Sequence, residues 1–263
     1  GRDVSAQVGG ASMLAGIRAL ANDATTKVIV VVSKPPAERV TQAVRESLRR
    51  SGKPAVVLFI GAATPAEPGI VPVSTLFDAA REAVALAGIK HSAVDPQSNE
   101  VPLPALAPSQ RYLRALYSGG TYCAEAQAIW SAQGILAYSN VPLDKRRALD
   151  DPHTSREHTA IDLGDDAFTV GKPHPMIDPS QRIARIARES DDPSTAVIVL
   201  DVVLGYGSHP DPAGALAPAI RAAQARALRS GRPLPIVTFV CGTEEDPQRR
   251  SAQEATLRSS GAI

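Results

Sequence analysis

The chain has 263 residues, 44% of them hydrophobic and 21% charged, which suffices for the cores of two ordinary domains and excludes a disordered polypeptide. Against 28 Lys and Arg stand 27 Asp and Glu, so the net charge of +1 lacks the basic excess of a protein that follows phosphate backbones, and nucleic acid is not an expected partner. Cys123 and Cys241 lie far apart with no zinc-ligand spacing, and no apolar run reaches the roughly 18 residues of a membrane span. A soluble protein of the reducing cytoplasm, with no metal site and no membrane partner, is therefore expected. The chain begins Gly1-Arg2-Asp3 without Met and stops at Ser260-Gly261-Ala262-Ile263, and it is expected to be a piece of a longer protein.

In chain order, Ala11–Asn22 reads as a helix opened by Gly9-Gly10, and Val28–Val32 as a buried strand. Ala37–Ser51 follows as a helix with Val40, Val44 and Leu48 on one face, then a strand over Ala55–Ile60 and a helix over Leu76–Leu86. His91–Gln110 carries four prolines and no helical period, so a stiff linker is expected at 93–110 between domains at 1–92 and 111–263. Leu113 and Leu116 mark a short apolar segment ahead of Tyr117-Ser118-Gly119-Gly120-Thr121 and a helix over Thr121–Gln133. The polar, mixed-charge run Tyr138–Arg156 reads as an excursion rather than core. Helices over Pro179–Ser190 and Ala213–Ser230 alternate with strands over Ala196–Val203 and Leu234–Val240. Such alternation specifies an α/β fold with parallel sheets flanked by helices. Ser12–Pro54 reappears in outline at Ser180–Pro233, which points to two related domains.

In parallel sheets, ligands collect where strands end and helices begin, because helix N-termini present unpaired N–H groups. Three loops qualify as anion sites: Gly9-Gly10-Ala11-Ser12, Ser118-Gly119-Gly120-Thr121, and Gly171-Lys172-Pro173-His174 leading to Ser180. Ser33-Lys34, at the end of a strand, adds a hydroxyl and an ammonium. No complete phosphate-loop or dinucleotide-binding glycine spacing occurs. His174, aimed by flanking prolines and accompanied by Lys172, is the candidate catalytic side chain. His91, His153, His158 and His209 are weaker candidates, with His153 and His158 expected in solvent. Asp162, Asp165 and Asp166 read as a strand end and turn, Asp201 as a buried carboxylate needing partners, and Cys241 as a weak candidate nucleophile.

The stretches Val8-Gly9-Gly10, Val32-Ser33-Lys34-Pro35-Pro36-Ala37, Tyr117-Ser118-Gly119-Gly120-Thr121, Ile161-Asp162-Leu163-Gly164-Asp165-Asp166, Val170-Gly171-Lys172-Pro173-His174-Pro175-Met176-Ile177-Asp178-Pro179 and Gly242-Thr243-Glu244-Glu245-Asp246-Pro247-Gln248 resemble the FdrA proteins over nearly the whole chain. FdrA proteins are similar to succinyl-CoA synthetases, members of the acyl-CoA synthetase superfamily. The resemblance implies two flavodoxin-like domains, one like the carboxyl-terminal domain of the synthetase α-subunit and one like that of the β-subunit. It also implies an amino-terminal CoA-binding-type domain in the intact protein, with CoA a candidate cofactor there.

The synthetases carry a Gly-His-Ala-Gly phosphohistidine motif where this chain reads Phe59-Ile60-Gly61-Ala62-Ala63-Thr64-Pro65-Ala66-Glu67-Pro68-Gly69, so that relay is not expected. The resemblance instead implies a cradle for phosphate, acyl phosphate or carbamoyl phosphate between two helix N-termini, at Gly9–Ser12 and Pro173–Ser180, with Gly9, Gly10, Ser12, Ser33, Lys34, Gly171 and Ser180 binding and His174 and Lys172 catalytic; Gly119, Gly120 and Thr121 join the phosphate-binding candidates from the loop reading. FdrA proteins are associated with oxamate carbamoyltransferase activity in allantoin degradation, acting with other proteins of the pathway. Carbamoyl transfer is thus the leading expectation, an acyl-CoA ligase the second and a non-catalytic scaffold the third. The expected partners are a small anionic substrate, pathway proteins and the chain's own amino-terminal domain, with a homodimer left open.

Overall fold

Runs of β-branched and apolar residues set the strands, and the structure, a computed structural model describing residues 2–90 and 103–263, arranges them in two parallel sheets. The sheets belong to two units, Gly1–Asn99 and Glu100–Ile263. Of the linker expected at 93–110, residues 93–102 lie outside the described residues, as does His91.

In the first unit, β1 (Ile29–Ser33), β2 (Ala55–Phe59) and β3 (Ile70–Pro72) pair in that order, Ile29 facing Ala55 and Ala55 facing Ile70. Central β2 is buried along its whole length, which is why Ala-Val-Val-Leu-Phe is apolar throughout. Edge strand β1 alternates instead, with Ile29 and Val31 buried and Val30 and Val32 exposed. Helices α1 (Ala11–Asn22) and α2 (Glu38–Ser51) pack together, and Val40, Val44 and Leu48, four residues apart, bury against Ile17, Ile29 and Val31. Helix α3 (Leu76–Leu86) opens on Thr75, whose side chain accepts the Asp78 N–H at 3.0 Å.

The second unit contains β4 (Tyr112–Tyr117), α4 (Gly120–Ala132), β5 (Thr159–Asp162), α5 (Asp166–Thr169), α6 (Ser180–Asp191), β6 (Thr195–Val203), α7 (Pro212–Arg229), β7 (Ile236–Cys241) and α8 (Arg250–Ser259). Its four strands run parallel in the order β5-β4-β6-β7. That is the second-first-third-fourth order of flavodoxin-like sheets, which reverses direction between β4 and β6 and leaves a crevice at their carboxyl ends. The core gathers Leu116, Ile161, Leu163, Ile186, Ile198, Leu200, Leu216, Ile220 and Ile236.

Helices expected at 11–22 and 76–86 form over those residues, and the other expected helices and strands form within two residues of their expected ends. The repeat appears as α1-β1-α2-β2 beside α6-β6-α7-β7, each with its two strands parallel. Short elements carried no period to read: β3 has three residues, one of them proline, and β5 has four. The run Tyr138–Arg156 joins α4 to β5 as an excursion, buried only at its start and bonded into the unit. Tyr138 and Ser139 are buried, Tyr138 donates its N–H to the His158 carbonyl at 2.8 Å, and Ser155 and the Pro152 carbonyl accept from the Arg185 guanidinium at 2.8 and 3.0 Å. Its polarity serves buried charges.

Candidate functional site

The three loops expected to bind anions end up in different states. At α1, Gly9 and Gly10 take left-handed φ values of 76° and 77°, and a Cβ on Gly10 would stand 2.7 Å from Cγ1 of Val40. Glycine is needed there so that the loop can lie against α2. The N–H groups of Ser12 and Met13 donate to the Asp3 carboxylate at 2.9 and 3.0 Å, and these bonds hold Asp3 below the usual carboxylate range. An anion bound at Ser12 has to displace Asp3. Nearby in sequence, Ser33 and Lys34 are half-buried at the end of β1, where the Ser33 carbonyl accepts the Ile60 N–H at 2.9 Å.

At α6, the Ser180 N–H donates to the Asp178 carboxylate at 2.9 Å, again lowering that acid's pKa. Gly171 is left-handed at φ 72°, and Lys172 is exposed. Helix α4 differs from both, because Gly119 at its N-cap is extended and supplies no side chain to the first N–H groups. Gly120 and Thr121 open α4 at the positive end of the helix dipole and beside the sheet's reversal point.

His174 stands next to this opening. Its Nδ1 accepts the Met176 N–H at 3.2 Å, and its carbonyl accepts the N–H groups of Ile177 and Asp178 at 2.8 and 3.0 Å. A neutral ring with Nδ1 accepting carries its proton on Nε2. That nitrogen crowds Gly164: a Cβ there would stand 2.5 Å from Nε2 of His174, 2.7 Å from the Ser118 carbonyl and 3.2 Å from Asp162 Oδ1. The imidazole donor, the loop entering α4 and the end of β5 thus converge on one glycine. Gly164 was not singled out in the sequence, where Asp-Leu-Gly-Asp reads as an ordinary turn.

Buried polar groups hold this arrangement. Asp201, on β6 and fully buried, accepts the Ser118 N–H at 2.9 Å and the Ser118 hydroxyl at 2.5 Å, which fixes the residue before Gly119. Arg182 of α6 donates to Asp201 Oδ1 at 3.0 Å and to the carbonyls of Asp201 and Leu116 at 2.7 and 3.1 Å. Burial pulls the Arg182 guanidinium down from its ordinary range, and the Asp201 charge opposes that shift. Asn140 clamps β5 by donating to the Asp162 carbonyl at 2.9 Å and accepting the Asp162 N–H at 3.0 Å. Across the crevice, the Gln248 amide bonds both the N–H and the carbonyl of Gly205 at 3.1 and 2.8 Å, and the His209 N–H donates to the Met176 carbonyl at 2.7 Å. The loop that carries His174 is thereby tied to the loop after β6.

The remaining candidates separate from this centre. Asp165 caps α5, accepting the Ala167 N–H at 3.1 Å. Cys241, half-buried at the end of β7, has a hydrogen bond with Tyr122, and burial and that bond together raise the Tyr122 pKa. His158 is not in solvent as expected: its Nδ1 accepts the Leu113 N–H at 3.2 Å and its ring meets Tyr112 edge to face at 5.4 Å. His153 is exposed, with its ring 5.0 Å from that of Phe168. Among the described residues, no three of His, Cys, Asp and Glu gather where a metal could sit, and no helix is long and apolar enough to cross a membrane.

The chain is 42% identical to the "Uncharacterized protein YahF" of Escherichia coli (strain K12), over all of this chain and 52% of that protein, so it spans about half the length of that relative. Two solved structures of a dinucleotide-forming acetyl-coenzyme A synthetase 1 from Ca. Korarchaeum cryptofilum, one with phosphate and ADP and one apo, are 14% and 15% identical to it. Each matches 94% of this chain and 56% of its own, with TM-scores of 0.34 and 0.35, too loose to place any side chain of this protein. Residues 116–263, more than half of the chain, match the CoA-ligase family. They take in β5 to β7, Ser118, the α4 opening, Gly164 and His174, and the chain belongs to the CoA-ligase family.

Proposed function

We propose that the second unit binds the phosphoryl group of an acyl or carbamoyl phosphate at the α4 N-terminus, with His174 donating from Nε2. The observation that carries this reading is the tautomer: Met176 donates to Nδ1, which leaves Nε2 as a hydrogen-bond donor rather than a nucleophile. A donor at that place, beside a helix N-terminus whose N-cap brings no side chain, stabilises charge on a phosphoryl oxygen. Of the reactions open to such a site, we favour transfer between carbamoyl phosphate and oxamate in an FdrA-like protein. In the direction of oxalurate breakdown, a phosphate oxygen attacks the carbamoyl carbon, the bond from that carbon to the oxamate nitrogen breaks, and that nitrogen takes a proton. Membership of the CoA-ligase family favours a second reading, an acid–thiol ligase that uses CoA in the intact protein.

The deciding assay supplies the intact protein and its pathway partners with oxalurate and phosphate, with and without CoA and nucleotide. Carbamoyl phosphate formed without CoA supports the transferase; product that requires both CoA and nucleotide supports the ligase. His174→Ala is expected to lower turnover by about 10²-fold, as for loss of one oxyanion donor, with partial rescue in His174→Gln. Gly164→Ala, whose Cβ would meet Nε2 at 2.5 Å, is expected to lower turnover while the unit stays folded, read by circular dichroism.

A further inference from the structure

Lys172 is exposed in the loop that follows α5. It lines a pocket of about 240 Å³ between α5, α6 and the segment before β5, together with His153, Leu163, Phe168, Gln181, Ala184, Arg185 and Arg188, and His174 is not among the lining residues. We propose that this pocket is a second site on the chain, for a small organic carboxylate with a flat apolar body.

Charge selects the ligand's sign. Lysine and two arginines line the pocket and no carboxylate does. The two acids hydrogen-bonded to lining residues are already committed: Glu189 accepts from Arg114, Arg185 and Ser155 at 3.0, 2.6 and 2.6 Å, and Asp151 accepts the His153 N–H and the Thr154 hydroxyl at 2.9 and 2.7 Å. Arg185 is equally committed, its guanidinium divided among Glu189, Pro152 and Ser155. Donors remain on Lys172, which has no partner among the described residues, and on Arg188, whose guanidinium donates from one nitrogen to the His153 carbonyl. A planar carboxylate suits a lining that offers both a guanidinium and an ammonium.

Shape selects the body. The rings of His153 and Phe168 meet edge to face at 5.0 Å, and with Leu163 and Ala184 they form an apolar wall. Gln181 donates its amide to the Phe168 carbonyl at 2.9 Å, which ties α6 to α5 beside this wall. The volume falls below the 300–1,000 Å³ of sites for drug-sized ligands, so a single-ring acid fits and a nucleotide does not.

The test titrates 4-fluorobenzoate into the full chain and follows its fluorine resonance. Saturable binding is expected, weakened about tenfold in Lys172→Gln or Arg188→Gln by loss of one charge-assisted bond. Ala184→Trp, at an exposed position of α6, is expected to fill the pocket and abolish binding without touching the core. His174→Ala is expected to leave the affinity unchanged, which separates this site from the proposed phosphoryl site. Absence of saturation, indifference to Ala184→Trp, loss of binding in His174→Ala, or displacement by inorganic phosphate at equal concentration would each overturn the proposal.

Discussion

The segments α1-β1-α2-β2 and α6-β6-α7-β7 follow one plan and are built from opposite materials. In the first, the buried set is apolar: Ile17, Ile29, Val31, Val40, Val44 and Leu48 close on one another. Every buried polar or charged residue among the described ones lies between Gln110 and Ser260, in the second unit. Strands β2 and β6 each have neighbours on both sides and are buried along all or nearly all of their length, yet β2 is apolar throughout and β6 carries Asp201. A strand enclosed that far can carry Asp201 only if partners enclose it as well, and Ser118 and Arg182 do so. The first unit therefore tolerates a plain hydrophobic repeat, and the second couples its fold to the geometry of a site.

Removing one member of the buried pair sharpens this contrast most. Asp201→Ala leaves the Arg182 guanidinium uncompensated and is expected to cost about 3–5 kcal/mol, whereas the double change Arg182→Met, Asp201→Leu costs far less. Hydrogen exchange should show the loss on β4 and β6 amides; equal loosening of β2 would break the contrast. In the first unit the matching change is Leu48→Ala, expected to cost about 2–5 kcal/mol by leaving a cavity, without any change at the α4 opening. Denaturant unfolding reads that cost, and a change of less than about 1 kcal/mol would deny that α2 rests on this core.

Smaller effects are expected at the loops. Gly10→Ala combines left-handed backbone with a Cβ 2.7 Å from Val40, for about 1–3 kcal/mol. Gly119→Ala, with open space around it and an extended backbone, should be nearly silent in the same melting experiment.

The smallest effect is in pH dependence. Burial, followed by the Arg114 charge, lowers the His158 pKa from 6.5. The group is depressed in the folded state, so its contribution is complete above pH 6.5 and declines as acid is added below it, because the imidazolium cannot accept the Leu113 N–H. The second unit should therefore soften between neutral and mildly acidic pH, and His158→Phe should flatten that slope. A slope that survives the substitution assigns the effect elsewhere.

Legibility in the sequence followed length and period. The helix over Ala37–Ser51 shows its buried face as Val40, Val44 and Leu48, and the strand Ala55–Phe59 shows itself as an unbroken apolar run. His174 announced itself through its prolines. Gly164 and the Asn140 clamp did not, since their importance lies in contacts with Ser118 and β5 that no local pattern encodes. The run Tyr138–Arg156 is the excursion its composition suggested, but its bonds to Arg185 and Glu189, which stand on α6, were hidden for the same reason.

The longer helices and strands from α1 to β7, their faces and the parallel class were written in the sequence by itself, because period and propensity act over a few neighbouring residues, whereas β3, β5, α5 and α8 were not read there. Tertiary structure decided how much of each helix N-terminus is taken up. Asp3 reaches Ser12 and Met13 from nine and ten positions away, Asp178 takes the Ser180 N–H from two positions away, and Gly119 brings no side chain to α4. Hydrogen bonds saturate one donor at a time, so three glycine-bearing loops that look alike in sequence end in different states, and only the one closed from a distance is illegible in the local pattern.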